Sequence, residues 1–179
     1  VIVPRSFIGE LIATDRLPAV VGDPSRVRQV LELCTGSGCL AILAADAFPD
    51  AQIDASDVSP EALAVARRNV DDYRLADRIR LIESDLFKSL EALPYDLILA
   101  NPPYVTAAAV AAFPPEYRAE PELAHAGGAD GLDIVLRILD MAPRFLAPDG
   151  HLIVEIGDAR EALEAARPEL PLRTMPTTP

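Results

Sequence analysis

The chain has 179 residues, half of them hydrophobic, enough for one domain with a sizeable core and too apolar for a disordered segment. Its formal net charge of −12, from 16 basic and 28 acidic residues, argues against gripping naked nucleic acid through phosphates and favours a basic protein partner. No apolar run reaches the roughly 20 residues of a membrane-spanning helix, and no charged-then-apolar leader opens the chain, so a cytoplasmic protein without membrane contact is expected.

Residues 7–20 begin as a helix and run into a loop at Gly22-Asp23-Pro24. An apolar run over 27–34 reads as a buried strand, the turn Thr35-Gly36-Ser37-Gly38 follows, and Leu40-Ala41-Ile42-Leu43-Ala44-Ala45 opens a helix. Glycines at 36 and 38 let backbone N–H groups approach a ligand at the positive end of that helix. Gly36-x-Gly38-x-x-Ala41, with Asp57 placed 21 residues after Gly36, also fits a dinucleotide fingerprint. That pattern alone does not separate NAD from S-adenosylmethionine. Glu32 tilts the choice: a strand-end carboxylate opposes a pyrophosphate but suits an ammonium and a sulfonium. The plainer alternative is a solvated strand-end charge.

A second strand over 51–57 ends at Asp57, where a carboxylate can accept bonds from both ribose hydroxyls. Ser59 reads as the N-cap and Pro60 as the first turn of the next helix. A third strand over 80–83 leads into Ser84-Asp85-Leu86-Phe87. There Asp85 either accepts a bond from an adenine amine or caps a short helical turn. Leu86 or Phe87 lines the ring, or Phe87 belongs to the core. The fourth strand, Tyr95-Asp96-Leu97-Ile98-Leu99-Ala100, delivers Asn101-Pro102-Pro103-Tyr104. An Asn held at a strand end by two prolines offers its side-chain carbonyl to an NH2 group, and the Pro102 carbonyl offers a second acceptor. Two acceptors orient an amide or base-amine nitrogen and return electron density to it, while Tyr104 packs on the planar group.

Residues 106–130, with Phe113-Pro114-Pro115-Glu116-Tyr117-Arg118-Ala119-Glu120-Pro121, form a long proline-rich stretch that reads as a substrate lid. A helix from Asp130-Gly131 to Leu146, a turn at Pro148-Asp149-Gly150, a fifth strand over 151–156 and a last helix from about Asp158 complete the pattern. Strand–helix alternation of this kind gives an α/β, doubly wound, mostly parallel sheet with ligands at the carboxyl ends of its strands. Glu32, Asp57, Asp85 and Asn101 all fall at such ends. Cys34 and Cys39 lack metal-site spacing and a nearby histidine, so no metal is expected, and reduced thiols are. His125 and His151 are isolated.

The motif over 32–39, Asp57, Ser84 to Phe87 and Asn101 to Tyr104, in this order, resemble the protein-(glutamine-N5) methyltransferases of the HemK type. Val3-Pro4-Arg5-Ser6, Ile8-Gly9-Glu10-Leu11-Ile12, Cys34-Thr35-Gly36-Ser37-Gly38-Cys39, Glu116-Tyr117-Arg118, Glu120-Pro121-Glu122-Leu123 and the stretch from Gly131-Leu132-Asp133 to Ile138-Leu139 are closest to the branch acting on large-subunit ribosomal protein three. The likeness covers about residues 1–167. It implies a class I, Rossmann-like methyltransferase fold and S-adenosylmethionine as cofactor. Glu32, Thr35, Gly36, Gly38, Asp57, Asp85, Leu86 and Asn101 are then the cofactor set, and Asn101, Pro102 and Tyr104 the catalytic set. The substrate is a protein glutamine, in a basic ribosomal protein. Three alternatives stand beside it: a release-factor methyltransferase, a base-amine N-methyltransferase, and a cofactor-binding module without catalysis, or an NAD-binding domain.

The family carries a helical substrate domain before the catalytic one and a final two-strand hairpin. Neither is recognisable here, so residues 1–179 read as a single catalytic domain with both ends missing. The family's strand order 3-2-1-4-5-7-6 then shrinks to 3-2-1-4-5. Strand five is left with an apolar edge that pairs with another chain unless residues 170–175 fold back onto it.

Overall fold

The computed structural model describes residues 6–14, 16–103, 131–173 and 175. Tyr104 and the expected lid over 106–130 lie outside them. The chain divides into two compact units, Val1–Asn101 with Ile138–Glu155, and Pro102–Arg137 with Ile156–Pro179.

The first unit is built on a parallel sheet of β1 (Gln29–Leu33), β2 (Gln52–Asp57), β3 (Ile79–Glu83), β4 (Tyr95–Ala100) and β5 (Leu146–Val154), in the order β3-β2-β1-β4-β5. Leu33 is in register with Ser56 on one side and with Ala100 on the other, so the tips of β1, β2 and β4 end at one level. Helices α1 (Phe7–Ala13), α2 (Pro18–Val21), α3 (Cys39–Ala47) and α4 (Pro60–Asp72) belong to this unit. α5 (Asp133–Met141) runs from the second unit into the first, and α6 (Arg160–Ala166) belongs to the second.

Both faces of the sheet are buried, as a parallel sheet requires. Val30, Ile53, Ala55, Leu97 and Leu99 form one core with Ile8, Leu40, Ala41, Ala44, Phe48 and Val70. Leu31, Leu33, Ile98 and Ala100 alternate to the opposite face and are equally inaccessible. α4 starts as expected: the Ser59 hydroxyl accepts from the Ala62 amide, Pro60 takes the first position, and Leu63, Ala66 and Val70 line one face. α3 is almost wholly apolar, and its carboxyl end is closed from a distance. The Arg78 guanidinium donates to the carbonyls of Ala45, in the last turn, and of Phe48 and Ala51, in the turn beyond it, at 2.7–3.3 Å, tying the helix end to the chain that leads into β2. Asp54, buried in mid-strand, is paid for by a fork from Arg80 at 2.7 and 2.8 Å and by the Tyr95 hydroxyl at 2.6 Å.

Three boundaries differ from the sequence pattern. The first strand pairs only from Gln29, because the Asp96 carboxylate takes the amides of Arg28 and Gln29 at 2.8 and 3.0 Å. The helix expected to reach Leu146 stops at Met141 and gives way to a 3-10 turn over Ala142–Arg144, where Pro143 ends the α-helical ladder. β5 begins at Leu146 and absorbs Pro148-Asp149-Gly150 as an irregularity: Tyr95 pairs with Leu146, but Leu97 already pairs with His151. Its strand pairing ends at Val154, two residues before the expected end. In the second unit, α6 carries an exposed Arg160–Glu164 pair at 2.8 Å, with Leu163 buried.

Candidate functional site

The site is read from the strand tips of the first unit. β1 carries Glu32 one residue before its end, and the chain then turns sharply. Cys34 sits at φ +57°, a conformation that L side chains rarely adopt. Thr35 to Gly38 close a tight turn, with the Gly38 amide donating to the Thr35 carbonyl at 2.9 Å and Gly36 at φ +57°. The turn is pinned to β2: the Thr35 amide donates to the Ser56 carbonyl at 2.9 Å, and the Gly36 amide donates to Asp57 Oδ2 at 2.8 Å.

Glu32 is no solvated strand-end charge. Its side chain is buried and accepts a hydrogen bond from Thr35 Oγ1. Burial pushes its carboxyl up to about 8, against the opposing pull of the Thr35 hydroxyl and the Ala41 amide, and the Asp57 charge adds to the rise. A carboxyl held this way is primed to respond to a cation placed near it.

Asp57 has two structural duties at the β2 tip. Oδ2 takes the Gly36 amide, and Oδ1 takes the Ser59 amide at 2.9 Å, at the start of α4. Each carboxylate oxygen keeps a further acceptor direction, so the residue can also serve a ligand hydroxyl. The two glycines separate in role. The expectation that their amides face a ligand is not met, because the Gly36 amide is spent on Asp57 and the Gly38 amide on Thr35. Among the described residues, a side chain on Gly36 would meet nothing within 4 Å, which leaves its surface open to close approach. Gly38, at φ +79°, would press a Cβ to 3.2 Å from the Ala66 Cβ, so its small size serves helix packing.

After β3, the loop is organised by Ser84, whose hydroxyl donates to the Leu86 carbonyl at 2.6 Å and accepts from the Ser89 amide at 3.0 Å. Leu86 is buried at φ +52°. Asp85 pairs with Lys88 at 2.6 Å on a largely exposed surface. Of the two readings of Phe87, the core one holds: it is buried, with its ring 4.6 Å from that of Phe145. Asn101 follows Ala100 directly and is half-buried; Pro102 is buried. Backbone strain at Cys34 and Leu86 thus falls at two of the strand tips that carry the candidate residues, the usual place for strain that serves a site.

Glu155, a buried residue beside the β4 tip, gave no signal beyond a strand-end acid. Its amide donates to the Ala100 carbonyl at 2.9 Å, and its carboxylate accepts from the Ser6 hydroxyl at 2.8 Å and the Phe7 amide at 3.1 Å, anchoring the start of α1. Among the described residues, no group of His, Cys, Asp or Glu is arranged to hold a metal ion. Both cysteines are free thiols, and no described helix is long and apolar enough to cross a membrane.

An open parallel sheet in this order, with a glycine turn after β1 and an acid at the tip of β2, is the class I methyltransferase architecture. Residues 13–113 match the family model of the methyltransferase small domain, and the chain belongs to that family. It is 57% identical over 185 residues to the ribosomal protein uL3 glutamine methyltransferase of Burkholderia pseudomallei (strain K96243), covering 99% of this chain and 60% of that protein. It is 54% identical over 182 residues to the protein of the same name from Bradyrhizobium diazoefficiens, covering 99% and 57%. The chain therefore spans less than two thirds of these relatives' length. Among solved structures, the catalytic domain of hMettl16 in complex with the MAT2A 3'UTR hairpin 6 superposes with a TM-score of 0.69 at 18% identity, over 94% of this chain and 63% of that one. The ribosomal protein L11 methylase of Lactobacillus delbrueckii subsp. bulgaricus gives 0.61 at 22%, over 93% and 73%. At these identities the likeness is one of fold.

Proposed function

We propose that this chain binds S-adenosylmethionine at the tips of β1 and β2 and carries the catalytic site for methylating a glutamine side-chain amide in a ribosomal protein, with uL3 as the target its relatives' names point to. The observation that carries the reading is the register: Leu33 pairs with Ala100, so Asn101 and the segment that begins at Glu32 leave the sheet from neighbouring strand tips. The residues fit the cofactor. Gly36 leaves open surface among the described residues, Asp57 retains acceptor capacity for ribose hydroxyls, and buried Glu32, held protonated by its burial, is a carboxyl that a bound cation would draw into its charged form.

Bound there, the cofactor supplies an electrophilic methyl group on a sulfonium. Asn101 accepts one N–H of the substrate amide through its side-chain oxygen, and the Pro102 carbonyl accepts the other. Both bonds raise electron density on a nitrogen whose lone pair is otherwise delocalised, and both strengthen as that nitrogen gains positive charge. With the cofactor bound, methyl transfer would form an N–C bond at that nitrogen as the C–S bond breaks, and the surplus proton would leave to water; Asn101 and Pro102 would hold the nitrogen for it. Asp85 and Leu86 flank the adenine in this reading, and Thr35 holds Glu32 in place. A negatively charged chain suits a basic ribosomal partner in the cytoplasm.

The test is mass spectrometry of purified uL3 and of a release factor after incubation with isotopically labelled S-adenosylmethionine and the full-length protein. One labelled methyl on a uL3 glutamine is the expected result. Label on the release factor alone would move the chain to the sister specificity, and label on neither would overturn the assignment.

A further inference from the structure

The turn that follows β1 is held from two directions, and only one of them is explained by the residues discussed so far. Towards β2 it is tied by the Thr35 and Gly36 amides. Towards α4 the Asn69 side-chain amide donates from Nδ2 to the Ser37 carbonyl at 2.8 Å. Ser37 is itself buried. Asn69 lies one turn beyond Ala66, the residue against which Gly38 packs, so both face the turn from the same side of the helix.

An asparagine is a poor helix former, and at a half-buried position in the last turn of α4 its amide needs a partner. Here the amide is used. The Thr35–Gly38 turn carries two glycines at positive φ, the residues with most conformational freedom to lose. Its Ser37–Gly38 peptide is held at the N–H by the Thr35 carbonyl and at the C=O by Asn69, so the side chain from the helix completes the grip on that peptide. Asp57 fixes the same turn at one end and the first residues of α4 at the other. The helix, the β2 tip and the turn are thereby locked as one piece.

We infer that Asn69 is a positioning residue for the cofactor: by clamping the Ser37 carbonyl it presets the turn surface on which S-adenosylmethionine rests. The inference rests on the cofactor reading above and adds to it a residue remote from the strand tips.

The experiment is titration calorimetry with S-adenosylmethionine on wild-type chain and on Asn69→Ala, Asn69→Asp and Asn69→Gln, with the thermal midpoint of each measured alongside. Losing one hydrogen bond predicts affinity about tenfold weaker in Asn69→Ala. Asn69→Asp, which cannot donate and sets a negative charge against a carbonyl, should lose more. Asn69→Gln, which keeps the donor on a longer arm, should recover part of the affinity. In the full-length enzyme the KM for the cofactor should rise while kcat at saturating cofactor holds. A purely structural amide would lower the midpoint and leave affinity in the folded protein unchanged, which would overturn the inference while leaving the cofactor site standing. Should Asn69→Ala fail to fold, the order of Asn69→Gln over Asn69→Asp decides the matter. Wild-type chain that binds no S-adenosylmethionine would overturn the cofactor reading itself.

Discussion

Glu32 brings a titratable group into the interior, and its direction of shift fixes a pH dependence. An ordinary glutamate in the unfolded chain titrates near 4.5, whereas this one is pushed up to about 8. Between those values the folded state holds a proton that the unfolded state has already released. The contribution of this group to stability is therefore full at acid pH and is lost as pH rises through the folded value. The protein should unfold at progressively lower urea from about pH 5 to about pH 8, and Glu32→Gln should flatten that slope. An unchanged slope in the glutamine variant would mean that other groups set it. Asn101 permits a sharper kinetic statement. If its carbonyl acts on the nitrogen in the transition state, Asn101→Ala in the full-length enzyme should slow methylation by about a hundredfold or more with cofactor affinity preserved. Normal turnover would reduce Asn101 to a strand terminator.

At the scale of elements, two long-range contacts hold the frame on which the site stands. The Arg78 fork is the carboxyl-terminal cap of α3, the helix that leaves the glycine turn. Arg78→Ala removes the guanidinium bonds to three carbonyls, of which Phe48 keeps the Ala51 amide, and should cost about 2–3 kcal/mol, read as a lower urea midpoint at constant m-value; Arg78→Lys should recover only part, since an ammonium cannot fork across them. Gly150 is the second contact: a Cβ there would lie 2.6 Å from the Tyr95 carbonyl oxygen, inside any real contact distance. Gly150→Ala must shift the β4–β5 junction, and circular dichroism melting should show a marked loss of stability. These same contacts mark the limits of what sequence reveals. The strands, the N-terminal cap of α4 and the strand-tip placement of Glu32, Asp57 and Asn101 were legible because each depends on local periodicity or on a residue beside its own strand. The irregular start of β5 was not, because it depends on a carbonyl of a strand some 50 residues earlier in the chain. Nor were the left-handed turns at Cys34 and Leu86, since neither residue type announces a positive φ. The engagement of the Gly36 amide by Asp57 was hidden for a related reason: a Gly-rich turn looks the same whether its amides face a ligand or a neighbouring strand.

For the whole molecule, two opposing properties meet at β5. Among the described residues the sheet ends there, with β4 on one side and no strand on the other, and residues 170–173 of the tail form none. Leu152, Ile153 and Val154 are only half-buried, and among the described residues β5 has a strand partner on one side alone. Such an edge pairs readily with a second copy. Against this stands the net charge of −12, which drives copies apart over a Debye length that shrinks from about 20 Å in dilute buffer to a few ångströms at high salt. Association through the edge should therefore be weak in about 20 mM salt and grow in about 500 mM salt, the reverse of what an ion-paired interface does. Sedimentation velocity across both salt and protein concentration measures it. Leu152→Lys, which sets a charge on the edge strand, should suppress the dimer at both salts while those amides of 151–154 that do not bond to β4 stay fast in hydrogen exchange. A chain that remains monomeric in high salt with slow exchange over those residues would show the edge to be covered within the same molecule.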